Sequence, residues 1–115
     1  MAINPTITFH QMPPSPALEA DIRQRVTALE HVFDRITSCR VVVAEPHRHQ
    51  QHGRHFDVRV ELHVPGEEIT AARSHADRAN HEDAHIAVRD AFLAAERQLE
   101  HYVGRRRAEN RNARS

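Results

Sequence analysis

Residues 83–99 read DAHIAVRDAFLAAERQL, and this stretch decides the fold of the chain. Its apolar side chains recur at three- and four-residue steps, the spacing of the buried face of an amphipathic helix. The pattern predicts a helix that starts near Glu82. Its buried side should consist of Val88, Phe92, Ala95, Leu99 and Val103.

A second apolar stripe lies nearer the N-terminus. Ser15 followed by Pro16 is a favourable start for a helix, because serine caps the first turn and proline fits its first position. Apolar residues then recur at helical steps from Leu18 to Ile36. We therefore expect a first helix from about residue 16 to about residue 35.

Four segments have the character of β-strands. Residues 56–64 alternate strictly between apolar and polar side chains, as a half-buried strand does. Segments 3–9, 39–44 and 68–74 complete the set, and Pro65-Gly66 marks a tight turn before the last. The order β-α-β-β-β-α, with two one-sided helices, predicts an α+β fold. It should be a two-layer sandwich, a four-stranded sheet with both helices on one face.

Charge is distributed unevenly along the chain. All sixteen basic residues are arginine and are balanced by sixteen acidic residues, with eleven histidines besides. Residues 105–115 hold five arginines and one glutamate, a net of +4, which leaves −4 on residues 1–104. We therefore divide the chain into an α+β domain, residues 1–104, and a basic C-terminal tail, residues 105–115. Attraction to polyanions must come from a local patch and this tail.

The remaining composition bounds the class of protein. A chain of 115 residues supports one modest core. Its single Cys39 cannot form an internal disulfide, which fits a reducing compartment. No segment approaches the roughly 20 apolar residues of a membrane helix. We expect a soluble, cytoplasmic protein.

Two histidine patterns offer an alternative. Segment 81–85, His-Glu-Asp-Ala-His, matches the HExxH pattern in which two histidines bind zinc and the glutamate acts as general base. The extended form of that pattern fails because Ala91 stands where a third histidine is needed, and His81 is expected to precede the helix. Loop 47–55 holds four histidines that could bind a divalent metal, although a solvated hairpin tip is favoured. We predict no catalytic residue, metal or cofactor. The alternative is a histidine-rich metal-binding protein or a small zinc hydrolase that uses segment 81–85.

Two motifs resemble those of a known family. Residues 29–36, LEHVFDRI, are similar to the first-helix ending of the bacterial hibernation-promoting and ribosome-associated inhibitor proteins, and residues 83–99 are similar to their second helix. The resemblance extends from residue 3 to about residue 107. It implies a monomeric non-enzyme that binds the small ribosomal subunit and its rRNA in the decoding channel, and that represses translation in stationary phase or stress.

The same resemblance implies which residues contact RNA. Family members use basic residues on both helices and after the second helix. The predicted contacts here are Arg23, Arg25, Arg89, Arg97, His101, Arg105, Arg106 and Arg107. Ala28, Ala94 and His101 depart from the family, which often carries lysine there. Protonated His101, one turn from both Arg97 and Arg105, is expected to complete a cationic stripe. The alternative role for the helical arginines is salt bridging, for example of Arg97 with Glu100. Tyr102 is expected to pack at the end of the helix.

Overall fold

The computed structural model describes residues 3–46, 55–75 and 81–113. The elements follow the predicted order, β1 (Thr6–His10), α1 (Pro16–Val32), β2 (Ser38–Ala44), β3 (Phe56–Val64), β4 (Glu67–His75) and α2 (His81–Ala113). Most of the histidine-rich loop, residues 47–54, lies outside the described residues, as do residues 76–80 of the predicted polar loop. The metal prediction for loop 47–55 therefore remains a prediction.

The strands form a single sheet in the order β1-β2-β3-β4. Strand β1 is parallel to β2, and the other two pairs are antiparallel. A parallel pair needs a crossover connection, and α1 supplies it. Val41, Val60 and Ala71 stand opposite one another across three strands and are all buried. Because side chains alternate along a strand, the neighbouring Arg40, Arg59 and Thr70 line the other, accessible face.

Both helices cover the buried face of this sheet. The apolar stripe of α1 and the apolar side chains of α2 belong to one core with alternate residues of β2, β3 and β4. The two-layer sandwich with both helices on one face is therefore confirmed. Of the five residues expected to be buried on α2, four are, and Val103 is half-buried.

The helices run in the same direction. Near their N-terminal ends the Asp21 carboxylate lies 2.7 Å from His85 Nδ1. At the other end of α1 the Phe33 ring meets the Tyr102 ring, with centroids 5.4 Å apart. This arrangement brings the segment after α1 beside the C-terminal half of α2.

The start of α1 follows the prediction and its end does not. The Ser15 hydroxyl accepts a hydrogen bond from the Leu18 N–H at 3.2 Å. The helix ends at Val32 instead of about residue 35, because Phe33 has extended backbone angles, φ −152° and ψ 118°. Strand β1 starts at Thr6 instead of residue 3, since the Ile3 N–H donates to the Glu30 carboxylate at 2.9 Å and does not join the sheet.

Helix α2 is longer at both ends than the sequence suggested. It begins at His81, so the expectation that this residue precedes the helix was wrong. It continues without a break to Ala113, so residues 105–113 of the predicted tail are helical. Its 33 residues span about 50 Å at a rise of about 1.5 Å each. The longest dimension of the molecule is accordingly 62 Å, against 24 Å and 18 Å for the other two.

Helix α2 also lies along β4, an edge strand of the described sheet. The Gln98 side-chain amide donates to the Thr70 carbonyl oxygen at 3.0 Å. Two residues further along β4, the Ala72 carbonyl accepts from the guanidinium of Arg73 at 2.7 Å. The β3–β4 turn contains Gly66 at φ +79°, a conformation that favours glycine, which confirms the predicted Pro65-Gly66 turn.

Candidate nucleic-acid interface

The predicted RNA contacts on α1 face different ways. Arg25 faces α2, and its Nε donates to Asp21 Oδ1 at 2.8 Å. The second oxygen of Asp21 contacts His85 Nδ1 at 2.7 Å, which forms a chain of three groups across the two helices. Arg23 instead donates to the Asn4 side chain at 2.9 Å, on the side of α1 that faces the N-terminal segment. Arg25 therefore lies beside α2, whereas Arg23 faces the N-terminal segment.

The two arginines in the middle of α2 differ in their partners. Arg89 Nη2 lies 3.1 Å from Asp90 Oδ1, and both side chains are about half exposed. An exposed pair of this kind contributes about 1 kcal/mol or less, so a phosphate can replace the carboxylate at little cost. Arg97 makes no ion pair within the described part of the chain, and the salt bridge suggested with Glu100 is not formed. Its guanidinium is therefore available to a phosphate.

The stripe expected through Arg97, His101 and Arg105 is not continuous. Four residues turn an α-helix by about 40° beyond one full circle, so two such steps carry Arg105 about 80° around the axis from Arg97. Arg105 accordingly reaches β4, where its Nη2 lies 2.7 Å from Glu67 Oε2. His101 is exposed between these two directions. The geometry of the helix, which a one-dimensional pattern leaves out, accounts for the difference.

Arg106 is built into an aromatic cluster. The Tyr102 hydroxyl donates to the Pro65 carbonyl oxygen at 2.6 Å and accepts from Arg106 Nη1 at 3.1 Å. The Phe33 and Tyr102 rings meet edge to face at 80°. The Arg106 guanidinium lies 6.0 Å from the centroid of the Phe33 ring and 5.7 Å from that of Tyr102. Tyr102 packs as expected, but not at the end of its helix, since α2 continues eleven residues beyond it to Ala113. Its ring lies beside the residue that follows α1 and holds a cation in place.

The C-terminal part of α2 carries most of the positive charge of this helix. We define the α2 extension as residues 105–113, which hold four arginines and one glutamate. Arg107 and Arg111 are exposed, and within the described residues neither takes part in an ion pair. Cations at a helix C-terminus are favoured by the helix dipole. The extension therefore presents positive charge on a continuous helix, whereas residues 81–104 of α2 hold two arginines against five acidic residues, a net of −3.

One surface residue escaped the sequence analysis. Leu93 is 51% exposed, more than any other large apolar residue in the described chain. It lies beside a shallow notch between the helices, next to Arg25, Ala28 and Glu96. Its position off the buried stripe of α2 was the available signal. Of the departures from the family's lysines, Ala28 is exposed on this surface and Ala94 is buried.

The described residues give no support to the zinc-hydrolase or metal-binding alternatives. Among them no group of three or more His, Cys, Asp or Glu is placed to hold a metal ion. His85, the described histidine of the HExxH-like segment, contacts Asp21. Burial raises the pKa of the Cys39 thiol to about 12, and the nearby charge of Glu30 adds to the effect. No described helix has the length and apolar character to cross a membrane.

The fold and the surface together define a class of protein. It is an α+β domain with two parallel helices on one face of its sheet and an arginine-rich extension of the second helix. The chain belongs to the Sigma 54 modulation protein / S30EA ribosomal protein family, whose model matches residues 6–107. This finding confirms the family that the two sequence motifs indicated.

Individual relatives agree with this assignment. The chain is 30% identical over 112 residues to a ribosome hibernation promoting factor of Azotobacter vinelandii, covering 90% of this chain and 94% of that protein. Its fold is similar to the Thermus thermophilus Protein Y N-terminal domain, with a TM-score of 0.68 and 14% identity over 87% of this chain and 99% of that one. It is also similar to a ribosomal subunit interface protein from Coxiella burnetii, with a TM-score of 0.65, 19% identity and coverage of 86% and 96%.

Proposed function

We propose that this protein is a ribosome-associated hibernation factor that binds the small ribosomal subunit and represses translation in stationary phase or stress. The observation that carries the proposal is the similarity, over nearly the whole of both chains, to a relative named a ribosome hibernation promoting factor. The protein acts without catalysis, as a monomer, in the cytoplasm. Its ligand is rRNA in the decoding channel, and its mechanism is steric exclusion of messenger and transfer RNA.

The charges of the described residues support an RNA ligand. Arg97, Arg107 and Arg111 are exposed and make no ion pair with the described residues, so they can take phosphate oxygens directly. Arg25 and Arg89 must first exchange a carboxylate for a phosphate. The proposed RNA contacts are Arg23, Arg25, Arg89, Arg97, His101, Arg105, Arg106 and Arg107, to which the exposed Arg111 is added.

The shape of the molecule supports steric exclusion. A rigid body of 62 Å by 24 Å by 18 Å can occupy a channel without rearrangement, since its long axis follows the continuous helix α2. Placing the arginines on a helix also limits the side-chain and backbone entropy lost on binding. The α2 extension would then anchor the body by its phosphate contacts.

The test is co-sedimentation of the purified protein with purified small subunits through sucrose gradients at several salt concentrations. Wild-type protein should travel with the subunits at low salt and dissociate steeply as salt rises. The variant R107Q/R111Q should bind more weakly, and its slope of log K against log salt should be shallower by about 1.4–1.8, since each lost phosphate contact removes about 0.7–0.9.

The matched control is R40Q/R59Q, which removes two exposed arginines from the open face of the sheet. It should bind like the wild type, because that face lies on the other side of the sheet from both helices. Wild-type protein that stays at the top of a low-salt gradient would refute the proposed function. Equal losses in the two variants would show that general charge, not the α2 extension, drives binding.

A further inference from the structure

We propose that the groove between the end of α1 and the α2 extension binds the phosphate backbone of RNA, with Arg35 as a contact residue. The inference rests on the proposed function for the identity of the ligand and adds a site to it. Phe33 and Arg35 line one side of the groove, and Arg106, Arg107 and Asn110 line the other. Its volume of about 390 Å³ is within the roughly 300–1,000 Å³ of typical ligand sites.

The groove exists because α1 ends early. Had the helix continued to residue 35, as the apolar pattern suggested, Arg35 would have stayed on the helix. Phe33 adopts extended backbone angles instead, and Asp34 and Arg35 follow as a turn. Because α1 and α2 run in the same direction, this turn lies beside the C-terminal half of α2.

The base of the groove is a cation held in a fixed position. The Arg106 guanidinium is half-buried, stacks near the Phe33 and Tyr102 rings and donates to the Tyr102 hydroxyl at 3.1 Å. An arginine held in this way loses little further side-chain entropy when an anion binds. Its remaining N–H groups can still donate to a phosphate oxygen.

The rims add two more arginines. Arg35 and Arg107 are exposed on opposite sides of the groove, and neither makes an ion pair among the described residues. The acidic residues of the lining are Glu30 and Asp34, and Glu30 already accepts the Ile3 N–H at 2.9 Å.

The balance of these groups favours an anion. Three guanidinium groups face two carboxylates. Arginine's planar fork suits the paired oxygens of a phosphate, and the Asn110 amide is a further donor. A phosphodiester backbone is therefore the ligand that the groove fits.

The test compares R35Q with R40Q, which remove one exposed arginine each, from the groove and from the open sheet face. The measurement is affinity for purified small subunits across a salt series. R35Q should weaken binding and reduce the slope of log K against log salt by about 0.7–0.9, the value of one phosphate contact. R40Q should match the wild type. Indistinguishable behaviour of R35Q and R40Q would overturn the groove while leaving the proposed function intact.

A second measurement is independent of ribosomes. The side-chain Nε–H signals of the arginines are followed by NMR during titration with a short single-stranded oligoribonucleotide, and separately with an acidic peptide of equal charge. The oligonucleotide should shift the signals of Arg35 and Arg107 and leave that of Arg40 unchanged. If these shifts were absent, or if only the peptide produced them, the proposal that the groove binds RNA would be refuted. This outcome does not depend on whether the protein binds subunits.

Discussion

The hydroxyl of Tyr102 should stabilise the fold by a measurable amount. It donates to the Pro65 carbonyl at 2.6 Å and accepts from Arg106 at 3.1 Å, and the residue is only 4% exposed. Replacing Tyr102 with phenylalanine removes both hydrogen bonds and keeps the ring against Phe33. The free energy of unfolding should fall by about 1–2 kcal/mol, since each net hydrogen bond is worth about 0.5–1.5 kcal/mol and the Pro65 carbonyl is left without its partner. For a chain of this size, that loss lowers Tm by about 4–10 °C.

Urea and thermal unfolding, followed by circular dichroism, measure this loss. Tyr102→Leu is the companion variant, because it also removes the ring contact with Phe33 and the cation–π contact with Arg106. Its loss should be larger, about 2–4 kcal/mol. A Tyr102→Phe protein within about 0.3 kcal/mol of the wild type would refute the hydrogen-bonded role of the hydroxyl. Equal losses in the two variants would show that the ring contacts contribute nothing.

Three further predictions concern single side chains. Because burial raises the Cys39 pKa to about 12, the thiol stays protonated in the folded protein after the unfolded chain, with a pKa of about 8.5, has ionised. The contribution of this thiol to the free energy of unfolding is therefore complete below about pH 8.5 and is lost as pH rises toward 12. Chemical labelling of the native thiol at pH 8 should be no faster than unfolding, and labelling at the rate of a free thiol would contradict this. His101→Arg, which places a permanent positive charge where the family often carries lysine, should tighten binding to small subunits, and an unchanged affinity would rule this position out as an RNA contact. Glu82→Gln should leave subunit binding unchanged, and neither protein should show metal-dependent proteolysis; activity in the wild type that this change abolishes would establish a zinc hydrolase.

The sequence predicted most of the fold because its signals are local. The alternation along residues 56–64 gave the bounds of β3 to the residue, and Ser15-Pro16 gave the start of α1. The end of α1 was missed because the apolar stripe continues to Ile36. The Ile36 side chain is buried, but the residue lies in the loop after α1 and not in the helix. Helical periodicity alone cannot distinguish these two ways of burying one residue.

The candidate site was less predictable because its geometry depends on tertiary contacts. Counting positive charge identified the basic C-terminal segment, but not that Arg105 turns to Glu67 or that Arg106 packs on two rings. Those outcomes depend on which elements lie beside the last turns of α2. Arg35 was missed for the same reason, since nothing near it in sequence places it opposite Arg107.

The contacts along β4 have a consequence for association between copies of this protein. A strand at the edge of a sheet offers free carbonyls to any other strand, which is a common start of aggregation. Here the Thr70 and Ala72 carbonyls already accept from Gln98 and Arg73. A foreign strand could pair with this part of β4 only after displacing both side chains, so Gln98 of α2 and Arg73 of β4 together protect it against polymerisation.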